Sequence, residues 1–172
     1  MYVIWLATLL LISATLEFLL TRAGIVVPLM TIAAFYAFAC HRQEAAIPLS
    51  ALTAALIDLA LGRSLIMHVL VLSLVFLLVQ QWKNRGDCTV FLLQAVPGFI
   101  VGVVWGGLML LSESFQPENF SGALVFHNLW LLVQITVLSA LLTPILFAVF
   151  DYIAEFLDQP QFVNCQTPDQ QP

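Results

Sequence analysis

Six apolar runs with at most one Asp, Glu, Lys or Arg each, close to the length that crosses a lipid bilayer as a helix, dominate this chain. The hydrocarbon core of a bilayer is about 30 Å thick, which needs roughly 20 apolar residues at a rise of about 1.5 Å per residue. The runs cover residues 3–20, 24–40, 45–62, 64–82, 88–111 and 124–150. Because lipid cannot hydrogen-bond an open backbone, runs of this length predict helices. The sequence therefore predicts an all-α polytopic integral membrane bundle of about six transmembrane helices.

The composition leaves little of the chain to fold in water. Hydrophobic residues make up 62% and charged residues 9% of the 172 residues, whereas soluble domains are about 25% charged. We expect one transmembrane helical domain over residues 1–158, ending in a short interfacial helix at 151–158. The Pro-, Gln- and Asp-rich residues 159–172 predict a disordered tail. The first run has no basic flank and a second run follows it closely, so we expect it to be retained and not cleaved as a signal peptide.

The basic residues predict the orientation in the membrane. Cytoplasmic loops carry more Lys and Arg than the loops on the opposite side. Arg42, Lys83 and Arg85 fall on the side of both termini, and Arg22 and Arg63 fall on the other. We therefore expect both termini in the cytoplasm. The net charge of −5 comes mostly from the C-terminal part, which argues against nucleic acid as a partner.

Ionisable residues inside the apolar runs are the candidate functional residues, because each costs about 2.5 kcal/mol or more to insert into a membrane. Asp58 and Glu17 qualify. A hairpin centred near Arg63 brings His68 to the depth of Asp58, and the same topology brings Glu17, Arg22 and Arg63 to that leaflet. This intramembrane polar network has two interpretations. It is a proton or substrate path, or it is a structural hydrogen-bond network that locks helices together.

Small residues in the fifth run predict a close helix contact. Gly98, Gly102 and Gly106 recur every four residues, and such a face lets two transmembrane helices approach closely. The face meets either another helix of this chain or a partner protein. Pro97 and Pro144 predict kinks in the fifth and sixth helices.

Signatures of catalysis and metal binding are missing from the sequence. There is no phosphate-binding Gly-rich loop with Lys, no His-Glu-x-x-His, no Cys-x-x-Cys and no Gly-x-Ser-x-Gly, each of which would indicate a catalytic or metal site. Cys40, Cys88 and Cys165 are scattered along the chain and are expected on the reducing, cytoplasmic side. We therefore expect no enzyme activity, no cofactor, no metal and no disulfide.

Two stretches resemble a known bacterial family. The segment 54–68, Ala-Ala-Leu-Ile-Asp-Leu-Ala-Leu-Gly-Arg-Ser-Leu-Ile-Met-His, and the segment 141–147, Leu-Leu-Thr-Pro-Ile-Leu-Phe, are similar to MreD, the rod shape-determining membrane protein. In that family the third helix ends in Asp-Leu followed by a small-residue turn, and Asp58, Leu59 and Gly62 occupy those positions here. A proline-containing run closes the last helix.

The resemblance implies a non-enzymatic scaffold of the cell-elongation machinery, which builds the lateral peptidoglycan wall from the bacterial inner membrane. Its direct partner would be an MreC-like single-span protein, working beside the actin-like MreB, RodA and a class B penicillin-binding protein. The resemblance also implies that the bundle is similar to the substrate-binding S component of vitamin transporters. That alternative predicts an Ala-x-x-x-Ala face on the first helix, where this chain has Ala7 followed by Leu11.

Overall fold

The described part of the chain is helical throughout. The computed structural model describes residues 2–62, 67–83, 93–114 and 122–162, which contain helices and turns and no strand. The helices are α1 (Tyr2–Arg22), α2 (Leu29–Cys40), α3 (Gln43–Ala60), α4 (Met67–Lys83), α5 (Ala95–Ser114) and α6 (Gly122–Phe156). The all-α prediction with six helices is confirmed. Within these described residues two segments, α1 and the Leu129–Phe156 part of α6, are long and apolar enough to cross a membrane.

Helix α2 forms the centre of the fold. All residues from Leu29 to Ala39 are buried, and α2 contacts each of the other five helices. A helix that is apolar on every side has no solvent face and belongs in a core. Alanines let the neighbouring helices approach, while Phe35, Tyr36 and Phe38 fill the space between them.

The start of α2 differs from the sequence prediction, which began this helix at Gly24. Gly24 adopts a left-handed φ of 85°, and the amide of Ile25 donates to the carbonyl of Leu20 at 2.9 Å. This pattern is a Schellman cap, which ends α1 and turns the chain back. Pro28 then precedes the first helical residue. Residues 25–28 are therefore non-helical, and α2 is only about 18 Å long.

Two ends of the bundle can be distinguished. At one end Tyr2 stacks on His41, with ring centroids 6.4 Å apart, so α1 begins where α2 ends. We call this the Tyr2 end and the opposite one the Arg22 end. Helix α3 packs along α1 with Ala46, Ser50 and Ala54 buried at a spacing of four residues, the small-residue pattern that brings two helices close.

Helices α5 and α6 pack chiefly against each other. The glycine face of α5 lies on α6: a Cβ added to Gly102 would come within 2.8 Å of Thr136 Cα, and one added to Gly98 would overlap Thr143 Oγ1. The contact at Gly106 is with Leu132 Cδ1, the mobile end of a side chain.

The predicted proline kinks meet two different situations. Pro97 is the third residue of α5, where a backbone N–H would have no helical partner anyway. Proline is tolerated in the first turn of a helix, so the kink at Pro97 stays a prediction. Pro144 lies inside α6, which continues through it to Phe156.

The C-terminal part differs from the prediction of an interfacial helix and a tail from residue 159. Helix α6 continues without interruption through Asp151 to Phe156. Asp158 then adopts a φ of 55°, and the amide of Gln159 donates to the carbonyl of Ala154 at 2.8 Å. The chain reverses, and Phe162 is fully buried. Residues 163–172 lie outside the described residues.

Candidate functional site

Glu17 is buried inside the bundle although it belongs to an apolar helix. Its side chain is 1% exposed, and Oε2 accepts the backbone N–H of Met30 at 2.8 Å. Met30 is the second residue of α2, and the first four amides of a helix have no partner within it. Glu17 thus caps the central helix from a neighbouring helix, at the terminus where the helix dipole favours a negative charge.

Asp58 does the same for α4. It is the next member of the α3 series Ala46, Ser50 and Ala54, and it is 3% exposed. Its Oδ2 accepts the backbone N–H of His68 at 2.9 Å, in the first turn of α4. Each buried carboxylate therefore satisfies one amide in the first turn of another helix, a contact typically worth about 1 kcal/mol.

The imidazole of His68 joins the two carboxylates. Its Nδ1 lies 2.5 Å from Asp58 Oδ1 and its Nε2 lies 2.9 Å from Glu17 Oε1. His68 is completely buried. We call these three residues the Glu17–His68–Asp58 triad. It connects α1, α3 and α4 by side chains, and α2 through the amide of Met30.

The contacts within the triad indicate how many protons its members share. Each ring nitrogen faces a carboxylate oxygen, so each contact needs one proton. Either an imidazolium lies between two carboxylates, or a neutral ring lies between one carboxylate and one carboxylic acid. Both arrangements hold two shared protons and one net negative charge, which the two helix N-termini help to stabilise.

Trp105 of α5 contacts the His68 member of the triad. Its Nε1 lies 3.4 Å from His68 Nε2, with the rings edge to face at a centroid distance of 6.0 Å, and the residue is 2% exposed. Trp105 lies among the glycines of α5, so this helix also contributes a buried side chain to the surroundings of the triad.

This geometry excludes two chemical roles for the triad. In a hydrolytic triad the second nitrogen of the histidine faces a nucleophile, but here Nε2 faces Glu17. A metal would need the three side chains to converge on an empty point, whereas they contact one another directly. Among the described residues no group of three or more His, Cys, Asp or Glu side chains forms a metal site.

The structure brings together three of the five residues proposed for the polar network. Arg22 is not among them: it is exposed, and its guanidinium lies over the ring of Phe18 at 5.3 Å. Arg63 lies outside the described residues. The amide of Met30 and the indole of Trp105 were not foreseen, because both depend on how α2 and α5 are positioned.

A second polar contact, which is partly buried, lies toward the Tyr2 end and was also not foreseen. Asp151 Oδ1 accepts both the hydroxyl of Tyr36 at 2.7 Å and the backbone N–H of Phe162 at 2.6 Å. The ring of Phe162 packs against Phe147, with centroids 4.6 Å apart. The reversed C-terminal segment is thus held against α2 and α6.

At the Tyr2 end, His41 is 7% exposed. Burial lowers the pKa of this imidazole, because the charged form loses its water.

In comparisons with known proteins, no family model, curated protein or solved structure matches this chain.

Proposed function

We propose that this chain is a membrane protein that crosses the bilayer six times. Support comes from the distribution of side chains, in which large aliphatic residues are exposed and ionisable residues are buried. Leu59 is 78% exposed and Ile4 is 72% exposed, whereas Glu17, Asp58 and His68 are at most 3% exposed. Buried Asp and Glu are rare in soluble proteins unless they are paired, as they are here, so the exposed large aliphatic side chains are the stronger support. In a bilayer the apolar side chains face lipid, and the few ionisable groups turn inward.

The short helix α2 is compatible with a full crossing. Alone it covers about 18 Å of a core about 30 Å thick. The non-helical residues 25–28 add at most about 13 Å at about 3.3 Å each, and less around Pro28, where the amide of Leu29 donates to the carbonyl of Val27 at 2.9 Å. Non-helical backbone at membrane depth must be covered by protein or water, and α2 is surrounded by the other five helices. On the basic-residue count, the Tyr2 end faces the cytoplasm and the Arg22 end faces outward.

Within that membrane we propose a non-enzymatic scaffold of the MreD type, acting in the bacterial cell-elongation machinery. The observation that carries this proposal is the closed triad. Glu17, His68 and Asp58 contact one another and the first-turn amides of two helices. Such an arrangement holds helices in one geometry, as a scaffold requires. The segment that resembles MreD contains two of its members, Asp58 and His68.

The proposal includes the partners of that machinery. In the inner membrane an MreC-like single-span protein would bind the bundle directly, with RodA and a class B penicillin-binding protein nearby. The alternative is a substrate-binding subunit of a vitamin transporter. One observation favours it: a cavity of about 440 Å³ opens near the Arg22 end, within the range of small-molecule sites.

Depletion of the protein in its host separates the two functions. The scaffold proposal expects rod-shaped cells to become rounded and the incorporation of labelled peptidoglycan precursor into the side wall to fall. Re-expression of the wild-type chain should restore both. Unchanged shape and wall synthesis, together with a loss of vitamin uptake, would support the transporter alternative.

A further inference from the structure

A groove lies between the α1–α2 connection and the first half of α6. It encloses about 440 Å³, and its walls are Gly24 to Val26 on one side and α6 residues between Trp130 and Leu138 on the other. We call it the lateral groove. It lies toward the Arg22 end, and in the described residues the backbones of α1 and α6 do not come close to each other across it.

Polar groups in this groove make lipid a poor occupant. The side chain of Gln134 is exposed and lines the groove, and among the described residues it has no hydrogen-bond partner. The backbone N–H of Val26, on the opposite wall, is likewise without a partner in the described part of the chain. Non-helical backbone at membrane depth is tolerated only where protein or water covers it.

The exposed face of α6 continues this groove across the membrane. Trp130, Val133, Val137, Leu141, Ile145 and Val149 recur every three or four residues and are each at least 46% exposed. From Trp130 to Val149 the face is about 28 Å long, close to the thickness of the hydrocarbon core. A ligand confined to the groove would cover only its first third, whereas a transmembrane helix would cover all of it.

We propose that the lateral groove and this face of α6 receive one transmembrane helix of a partner, with a hydrogen-bonding side chain at the level of Gln134. The inference rests on the proposed function and adds where its single-span partner binds. A Ser, Thr, Asn or Gln on that helix would pair with the Gln134 amide, which is how polar side chains join helices in lipid. Apolar side chains would pack along the rest of the α6 face.

Photo-crosslinking tests the proposal. Benzoylphenylalanine replaces Val133 in the groove or, as a control, Leu56 on α3, which is 49% exposed against 51% for Val133. Each full-length variant is expressed in its host with the tagged MreC-like single-span protein. We expect a cross-link to that protein from position 133 and none from position 56. Gln134→Leu should weaken recovery of the partner about three- to twentyfold, the factor for one interhelical hydrogen bond in a membrane.

The outcomes separate this inference from the function on which it rests. Co-purification of the single-span protein, with a cross-link only from position 56 or with lipid or a small molecule alone cross-linked at position 133, would overturn the groove and leave the scaffold proposal standing. Failure of the wild-type chain to co-purify with that protein would overturn both. An unchanged circular dichroism spectrum of Gln134→Leu establishes that its effect is not misfolding.

Discussion

Replacing the two carboxylates of the triad by amides, singly and together, tests its hydrogen-bond logic. In Glu17→Gln the new amide oxygen accepts the Met30 N–H and the new NH₂ donates to His68 Nε2, while Nδ1–H donates to Asp58. In Asp58→Asn the roles of the two ring nitrogens are exchanged. Each single variant therefore keeps the hydrogen bonds within the triad around a neutral imidazole, and loses the extra strength of charged bonds, about 1 kcal/mol. Asp58→Asn also places a proton on Nε2, so that Nε2 no longer accepts the indole N–H of Trp105, 3.4 Å away.

The double variant cannot keep them all. Both ring nitrogens would face an NH₂ donor, and a neutral imidazole has one acceptor nitrogen. One buried pair of donors is then left facing each other without water, at a cost of about 1–3 kcal/mol. The free energy of unfolding of Glu17→Gln combined with Asp58→Asn should therefore fall by about 1–3 kcal/mol more than the sum of the single effects.

Unfolding by SDS in mixed micelles, followed by circular dichroism, measures these free energies. A matched control combines Asp58→Asn with Glu155→Gln, because Glu155 is exposed on α6, and this pair should be additive. Additivity within about 0.5 kcal/mol for Glu17→Gln and Asp58→Asn as well would refute the shared role of His68.

Three further predictions concern packing and pH. Gly102→Ala should destabilise the bundle by about 1–3 kcal/mol in the same unfolding assay, because its Cβ would press on the α6 backbone. The control Gly107→Ala should not destabilise it, because a Cβ there meets open space. Equal effects of the two substitutions would contradict the α5–α6 packing. Phe162→Ala should lower the free energy of unfolding by about 3–5 kcal/mol. Phe156→Ala should leave it almost unchanged, because Phe156 is 87% exposed. No effect of Phe162→Ala would mean that the C-terminal segment is not held against the bundle. Because burial lowers the pKa of His41 in the folded chain, the unfolded chain takes up a proton on this residue first as the pH falls through about 6.5. The free energy of unfolding should therefore decline in that range, and less steeply in His41→Gln. Identical pH profiles of the wild-type chain and His41→Gln would exclude His41 as the cause.

The sequence predicted those features that depend on spacing along one helix or around one turn. Asp58 and His68 meet because they lie five residues on either side of the turn between α3 and α4. The glycines of α5 share a face because a spacing of four is close to the 3.6 residues of one helical turn. These relations need no knowledge of how the helices are arranged in space.

Features set by helix rotation were beyond such reasoning. Arg22 shares a leaflet with Glu17, but five residues at 100° each turn it about 140° around α1, so it faces outward. That Glu17 caps α2 depends on the late start of that helix after Gly24 and Pro28, which hydropathy alone does not reveal. The contact of Trp105 with His68 depends on how α5 is rotated about its axis, with its glycine face against α6.

Co-purification in mild detergent is the most direct test of the proposed scaffold. The tagged chain is recovered from membranes of its host beside an unrelated single-span protein of equal abundance. Selective and stoichiometric recovery of the MreC-like protein is the predicted result. Equal recovery of both proteins, or of neither, from a chain whose circular dichroism shows a folded bundle would contradict the scaffold function.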